Sequence, residues 1–240
     1  MNPADCLTGI AGGYLFHLTR LKTFTSTIFS VSHMYITWEA MKASAGSIEA
    51  LQLDFYESFP PPPQPFDLGQ MHKLQNLALT HTVLMPDEEI EITTAQTFDE
   101  DVEHIYALLD TPTPATALKR LDIMITSWQI FPGEDFFAGL HESSRWHMID
   151  SLLTSPKFPA LFTVDLFLSL PMLVEQARTF DQKVFKTKVS DFFKKVLPRL
   201  SASKKITLGV DVQVILFGWG EDTTTIDDNG EEVVFANLLT

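Results

Sequence analysis

One cysteine, Cys6, stands in 240 residues, so no disulfide can close within the chain and the stapled scaffolds of small secreted domains are excluded. Bases are also scarce. Seventeen Lys and Arg face 31 Asp and Glu, a net charge of −14 that repels phosphate backbones and anionic lipid alike. Nucleic acid and membrane surfaces are therefore not expected as partners. No stretch reaches the roughly 18 consecutive apolar residues of a membrane span. The apolar segment from Leu7 to Leu18 has Asp5 where a signal peptide carries its basic region and is diluted by glycine, so it reads as core. With no Asn-x-Ser/Thr acceptor site either, the expected compartment is the reducing cytosol or nucleus.

The signatures of catalysis are missing too. There is no His-Glu-x-x-His and no Cys-x-x-Cys, which leaves zinc without a local motif. His141 and His147 read as a polar surface pair. Gly218-Trp-Gly220 lacks the third glycine and following helix of a dinucleotide loop. Asp227-Asp-Asn-Gly230 would need a bidentate glutamate at the place of Ala236 to hold calcium. Cys6 has no neighbouring base to activate it. The expectation is a protein with no catalytic residues, no metal and no cofactor. The alternative is an enzyme whose site is assembled in space within an α/β domain.

What the chain does have is core-forming material, with 45% hydrophobic and 11% aromatic residues. Its clearest unit runs from Trp146 to Leu170. Trp146, Ile149, Leu152 and Leu153 share one helical face, Pro156 stops the helix, and Leu161, Val164, Leu166 and Leu168 end the unit in a strand. The strand pattern, apolar-x-x-apolar-x-apolar, recurs. It is found at Ile48–Leu53, Leu74–Leu79, Leu118–Ile123 and Leu161–Leu166, with degenerate copies at Leu18–Leu21 and around Ile206. Its second apolar position falls at 21, 51, 77, 121, 164 and 206, the spacing of stacked repeats.

The segments between anchors read as crossovers that return the chain to the next parallel strand. Helices are predicted over His33–Ala43, Asp99–Leu109 and Asp181–Leu197. The acids at 99–103 are placed at the positive helix start, and Pro198 closes the last helix. Phe59–Phe66 is polyproline, read as a stiff surface loop, and Met85–Glu91 is an acidic loop. Beyond Lys204, Ile206, Leu208, Val210, Val212 and Val214 alternate at period two. Asn229-Gly230 then predicts a two-residue turn between strands near 223–226 and 233–235.

The fold class that follows is α/β: an irregular leucine-rich-repeat-like solenoid with a parallel sheet, helices on one side and a C-terminal β-hairpin cap. It forms a single domain over 1–240, with the clearest repeats over 45–210 and the cap over 211–240. The unit Trp146-x-x-Ile-Asp-x-Leu-Leu with Phe158-Pro-x-Leu-x-x-Val-x-Leu, followed by Leu197-Pro-x-Leu, resembles the leucine-rich-repeat-like region of fungal, mushroom-type F-box proteins. The resemblance implies a non-enzymatic module that recognises a protein target for a ubiquitin ligase. The F-box is not recognisable in Met1–Ala45. The chain therefore reads as a truncated or diverged relative that does not bind the ligase adaptor by itself.

A candidate binding face follows from the anchors. If Leu121 and Val164 are equivalent, Asp122 and Asp165 stand side by side on the opposite face, about 4.8 Å apart, with Met124 and Phe167 beside them. Two like charges so placed need a cation, either an internal base such as Arg120 or a basic segment of a partner. Asp54 is expected to extend the acidic row. Asp54, Asp122, Met124, Asp165 and Phe167 are thus the candidate site for a basic, partly apolar peptide.

Overall fold

The computed structural model describes residues 20–56, 67–83, 94–127, 145–173, 180–217, 224–226 and 232–234. Six strands form an all-parallel sheet in sequential order: β1 (Thr23–Ile28), β2 (Ala50–Phe55), β3 (Asn76–Val83), β4 (Arg120–Ser127), β5 (Thr163–Leu173) and β6 (Thr207–Phe217). Two short antiparallel strands, β7 (Thr224–Ile226) and β8 (Glu232–Val234), extend it beyond β6. Helices α1 (Val31–Ser44), α2 (Thr94–Leu109), α3 (Trp146–Leu153) and α4 (Gln182–Val196) lie between parallel strands, and a single turn, α5 (Pro198–Ser201), follows α4.

The parallel strands are joined by one pattern of backbone hydrogen bonds. The carbonyl just before β1, β2, β3 and β4 accepts two successive N–H groups from the start of the next strand. Lys22 O takes Glu49 N and Ala50 N at 2.7 and 3.0 Å, and Glu49 O takes Gln75 N and Asn76 N. Gln75 O and Lys119 O do the same for the two strands that follow, and Phe162 O takes Thr207 N at 2.8 Å. Lys22, Glu49, Gln75, Lys119 and Phe162 are therefore equivalent positions.

The same register tests the anchors. Leu51, Leu77, Leu121 and Val164 are paired across four strands as their spacing predicts. The two end anchors are corrected. Phe24 rather than Leu21 pairs with Leu51, and Leu208 rather than Ile206 pairs with Val164. In both end repeats the apolar triplet is degenerate, and the hydrogen-bond register, not residue type, decides the equivalence.

Alternation then separates two faces. Leu51, Leu53 and Phe55, with their apolar partners on β3, β4 and β5, point into one cluster shared with Met34, Trp38 and Met41 of α1. Val102, Ile105 and Leu109 of α2, Ile149 and Leu153 of α3, and Val189 and Phe193 of α4 enter the same cluster. Helix α2 begins at Thr94, five residues before the predicted start, so positions 99–103 lie beyond its first turn. Asp181 caps α4 by accepting from Val184 N at 2.9 Å, and Pro198 opens α5 as well as ending α4. The polyproline segment 59–66 and the loop 85–91 lie outside the described residues.

The β7–β8 register pairs Ile226 with Glu232 and leaves five residues between them. The two-residue turn expected at Asn229-Gly230 falls between them, outside the described residues.

One buried carboxylate ties distant parts of the chain together. Asp150 of α3, 2% exposed, accepts from Arg199 N at 3.1 Å and from Leu200 N at 2.9 Å. It thereby satisfies two N–H groups at the start of α5 across some 50 residues of chain. Asp150→Ala strands both donors and is expected to lower stability by about 2 kcal/mol, with Asp150→Asn intermediate, as read by urea denaturation. Equal midpoints for all three proteins would show that water replaces the carboxylate at no cost.

Candidate functional site

The strand residues that point away from the core form a grid whose rows follow from the register. One row reads Thr25, Gln52, Ala78, Asp122, Asp165, Gly209 from β1 to β6, and the next reads Thr27, Asp54, Thr80, Met124, Phe167, Asp211. Asp122 and Asp165 are thus direct neighbours on adjacent strands, as are Met124 and Phe167.

Asp54 is a correction. It lies three residues after its anchor and Asp122 lies one after its own, so Asp54 stands in the row of Met124 and Phe167, two strands away from Met124. Its carboxylate accepts from Gln52 Nε2 at 3.2 Å. Asp211 completes that row; it accepts from Val212 N and meets Lys186 Nζ at 2.6 Å.

The cation required between the two aspartates is internal. Arg120, one place before its anchor on β4, lays its guanidinium across both: Nε is 2.8 Å from Asp122 Oδ1, and a terminal nitrogen is 2.9 Å from Asp165 Oδ2. A planar fork with several donors suits two carboxylates held at strand spacing, which an ammonium could not bridge as well. Two acids and one base leave the cluster at a net charge of about −1. Burial pushes the Asp165 carboxyl up from the usual range, Arg120 opposes this, and Asp122 adds to it. Asp122 in turn raises the Arg120 guanidinium.

Room for Asp165 comes from a glycine. A Cβ at Gly209 would lie 2.1 Å from Asp165 Oδ1, so the carboxylate occupies the space that any larger β6 residue would fill. Gly209 had no signal in the sequence. It sits in an alternating strand as one small residue among several, and only the register shows which side chain leans over it.

The remaining clefts hold less chemistry. An open cleft of about 600 Å³ between α2 and α3 is lined by Tyr106, His147, Met148, Ser151 and Lys157 among others. There Tyr106 donates to Asp110 at 3.0 Å, and Lys157 pairs with Asp110 at 2.5 Å. The hydrogen bond from Lys157 holds the Asp110 carboxyl below its ordinary range. Among the described residues no three His, Cys, Asp or Glu side chains come together to hold a metal ion, and no described helix is long and apolar enough to cross a membrane.

A second feature escaped the sequence reading. His81 of β3 and His104 of α2 are buried against one another, His104 Nδ1 lying 3.0 Å from His81 Nε2, with the Phe55 ring stacked on His81 at 4.9 Å. The signal was present. His81 continues the alternation Leu77, Leu79 into a core position, in register with Phe55 and Ile125.

No protein-family model, curated protein or solved structure matches this chain.

Proposed function

We propose that the chain is a non-enzymatic protein-interaction module, an irregular leucine-rich-repeat-like solenoid with helices on one side of the sheet and the short β7–β8 hairpin as its cap. Its open sheet face takes a basic, partly apolar segment of a partner protein. This is the role that the resemblance to the target-binding region of F-box ligase subunits implies, and a cytosolic or nuclear setting goes with it. The observation that carries the reading is the register. It sets an acidic pair, Asp122 and Asp165, beside an apolar pair, Met124 and Phe167, on a face that the cluster of core residues does not use.

The two aspartate side chains keep 29% and 22% of their surface exposed, so a partner's base can reach them while gaining from partial desolvation. An extended peptide fits the spacing, because alternate side chains at about 6.6 Å match the two rows. A fluorescent dodecapeptide of alternating arginine and leucine is the probe. It is expected to bind the wild type and to bind more weakly at high salt. Asp122→Asn with Asp165→Asn turns the cluster from net negative to net positive around Arg120, and should weaken binding about tenfold or more. Unchanged affinity and unchanged salt dependence would overturn the proposal.

A further inference from the structure

Among the described residues, the rim at which the parallel strands begin carries several lysines. Lys22, Lys73, Lys119 and Lys205 lie within three residues of the starts of β1, β3, β4 and β6, and His72 stands beside Lys73. These are places that the topology brings into one line, because parallel strands start together. The line spans about 24 Å from β1 to β6 at ordinary strand spacing.

Part of this rim is concave. The turn before β3 and the loop before β4 enclose an open cleft of about 360 Å³, lined by His72, Lys73, Gln75, Thr116 and Lys119 together with Glu49. Its acid is already answered, since Glu49 pairs with Lys22 at 3.1 Å. Among the described residues Lys119 donates only to a neutral group, the Gln75 side-chain oxygen, at 3.0 Å. Lys73 and His72 are exposed and, among the described residues, make no ion pair or side-chain hydrogen bond. The cleft therefore presents two lysines and a histidine with no acidic partner among the described residues, on a chain of net charge −14.

We infer that this rim is a docking site for a short acidic peptide segment of another protein, whose carboxylates sit over Lys73 and Lys119. Charge complementarity selects the sign. The rest of the molecule selects the length, because screening confines interactions to about 10 Å at ordinary ionic strength. A peptide of six or seven residues, about 20–24 Å when extended, stays on the rim. A long polyanion would run on into the field of a strongly acidic protein, which disfavours nucleic acid. The site is on a different edge from the sheet face proposed above and does not depend on it.

The test uses fluorescein-labelled hexaglutamate, with hexalysine and a single-stranded oligothymidylate as controls, followed by anisotropy at 20 and 200 mM salt. Hexaglutamate is expected to bind at low salt and to weaken at least fivefold at high salt. The charge reversal Lys73→Glu with Lys119→Glu should weaken it at least tenfold, and Lys73→Arg with Lys119→Arg should preserve it. All the exchanged side chains are exposed, and unchanged circular dichroism is the check on folding. The inference is overturned if hexaglutamate does not bind at low salt, if the charge-reversed protein binds it equally well, or if the oligothymidylate binds more tightly than the peptide.

Discussion

Lowering the pH from 7 towards 3 is expected to remove on the order of 5 kcal/mol of folding stability through one side chain, His104. Its imidazole lies in the core, and burial, with His81 beside it, lowers its pKa from 6.5 to about 3. A protonated His104 would be a charge with nowhere to go, because Nε2 has no hydrogen-bond partner and Nδ1 already faces a second imidazole. The neutral pair is satisfied when His104 Nδ1–H donates to His81 Nε2, which leaves Nε2 as a bare acceptor instead of an orphaned donor.

The direction follows from linkage. Above pH 6.5 neither state is protonated at this site and the full stability is present. As pH falls below 6.5 the unfolded chain takes up a proton that the folded protein refuses, and stability is lost until the folded pKa near 3 is reached. The slope is about 1.4 kcal/mol per pH unit. Between pH 6.5 and 5, before most carboxylates titrate, this amounts to about 2 kcal/mol. Urea denaturation across that window should show the loss in the wild type and a flatter profile in His104→Leu. Parallel profiles would mean that His104 is protonated in the folded protein.

Replacing Trp146 by alanine should be comparably damaging, at about 3–5 kcal/mol. Trp146 is 1% exposed, opens α3, and sets its ring edge-on against Phe193 of α4 at 4.9 Å and 82°. Ile123, Ile125, Leu166 and Leu168 of two strands close around the pair, with a void of only about 10 Å³ left between them. The packing can collapse little when the indole is removed, so cavity and transfer losses add. Its Nε1–H, in contrast, is buried without a partner, so Trp146→Phe discards an unsatisfied donor along with part of the ring. That variant should lose about 1–2 kcal/mol, well short of the alanine variant. Since a domain of this size is stable by about 5–15 kcal/mol in total, Trp146→Ala is expected to be partly unfolded at 37 °C. A chemical-denaturation difference below about 1 kcal/mol would show that α3 does not depend on this contact.

Local spacing accounts for much of the architecture. A strand needs only alternation and a helix only its 3.6-residue stripe, so the central anchors Leu51, Leu77, Leu121 and Val164 could be aligned from residue type alone. The alignment also placed Asp122 beside Asp165 and named Arg120 as a candidate counter-ion. It failed at both ends, where Leu21 and Ile206 stood in for Phe24 and Leu208. Apolar residues there are interspersed with Thr, Ser and Lys, and pattern cannot distinguish a shift of two or three places.

By itself the sequence determined the element types, the parallel crossovers that sequential repeats demand, the acid excess and the pairing of β4 with β5. Tertiary structure decided everything that rests on contacts between distant positions. It placed Asp150 under the start of α5 some 50 residues away, brought His104 onto His81, and let Asp165 lean over Gly209. It also gathered Lys22, Lys73, Lys119 and Lys205 along one rim. The physical reason is the same in each case. Alternation and helical period are properties of a few neighbouring residues, whereas hydrogen-bond satisfaction, desolvation and charge pairing depend on which strand lies next to which, and that is settled only when the whole sheet is in register.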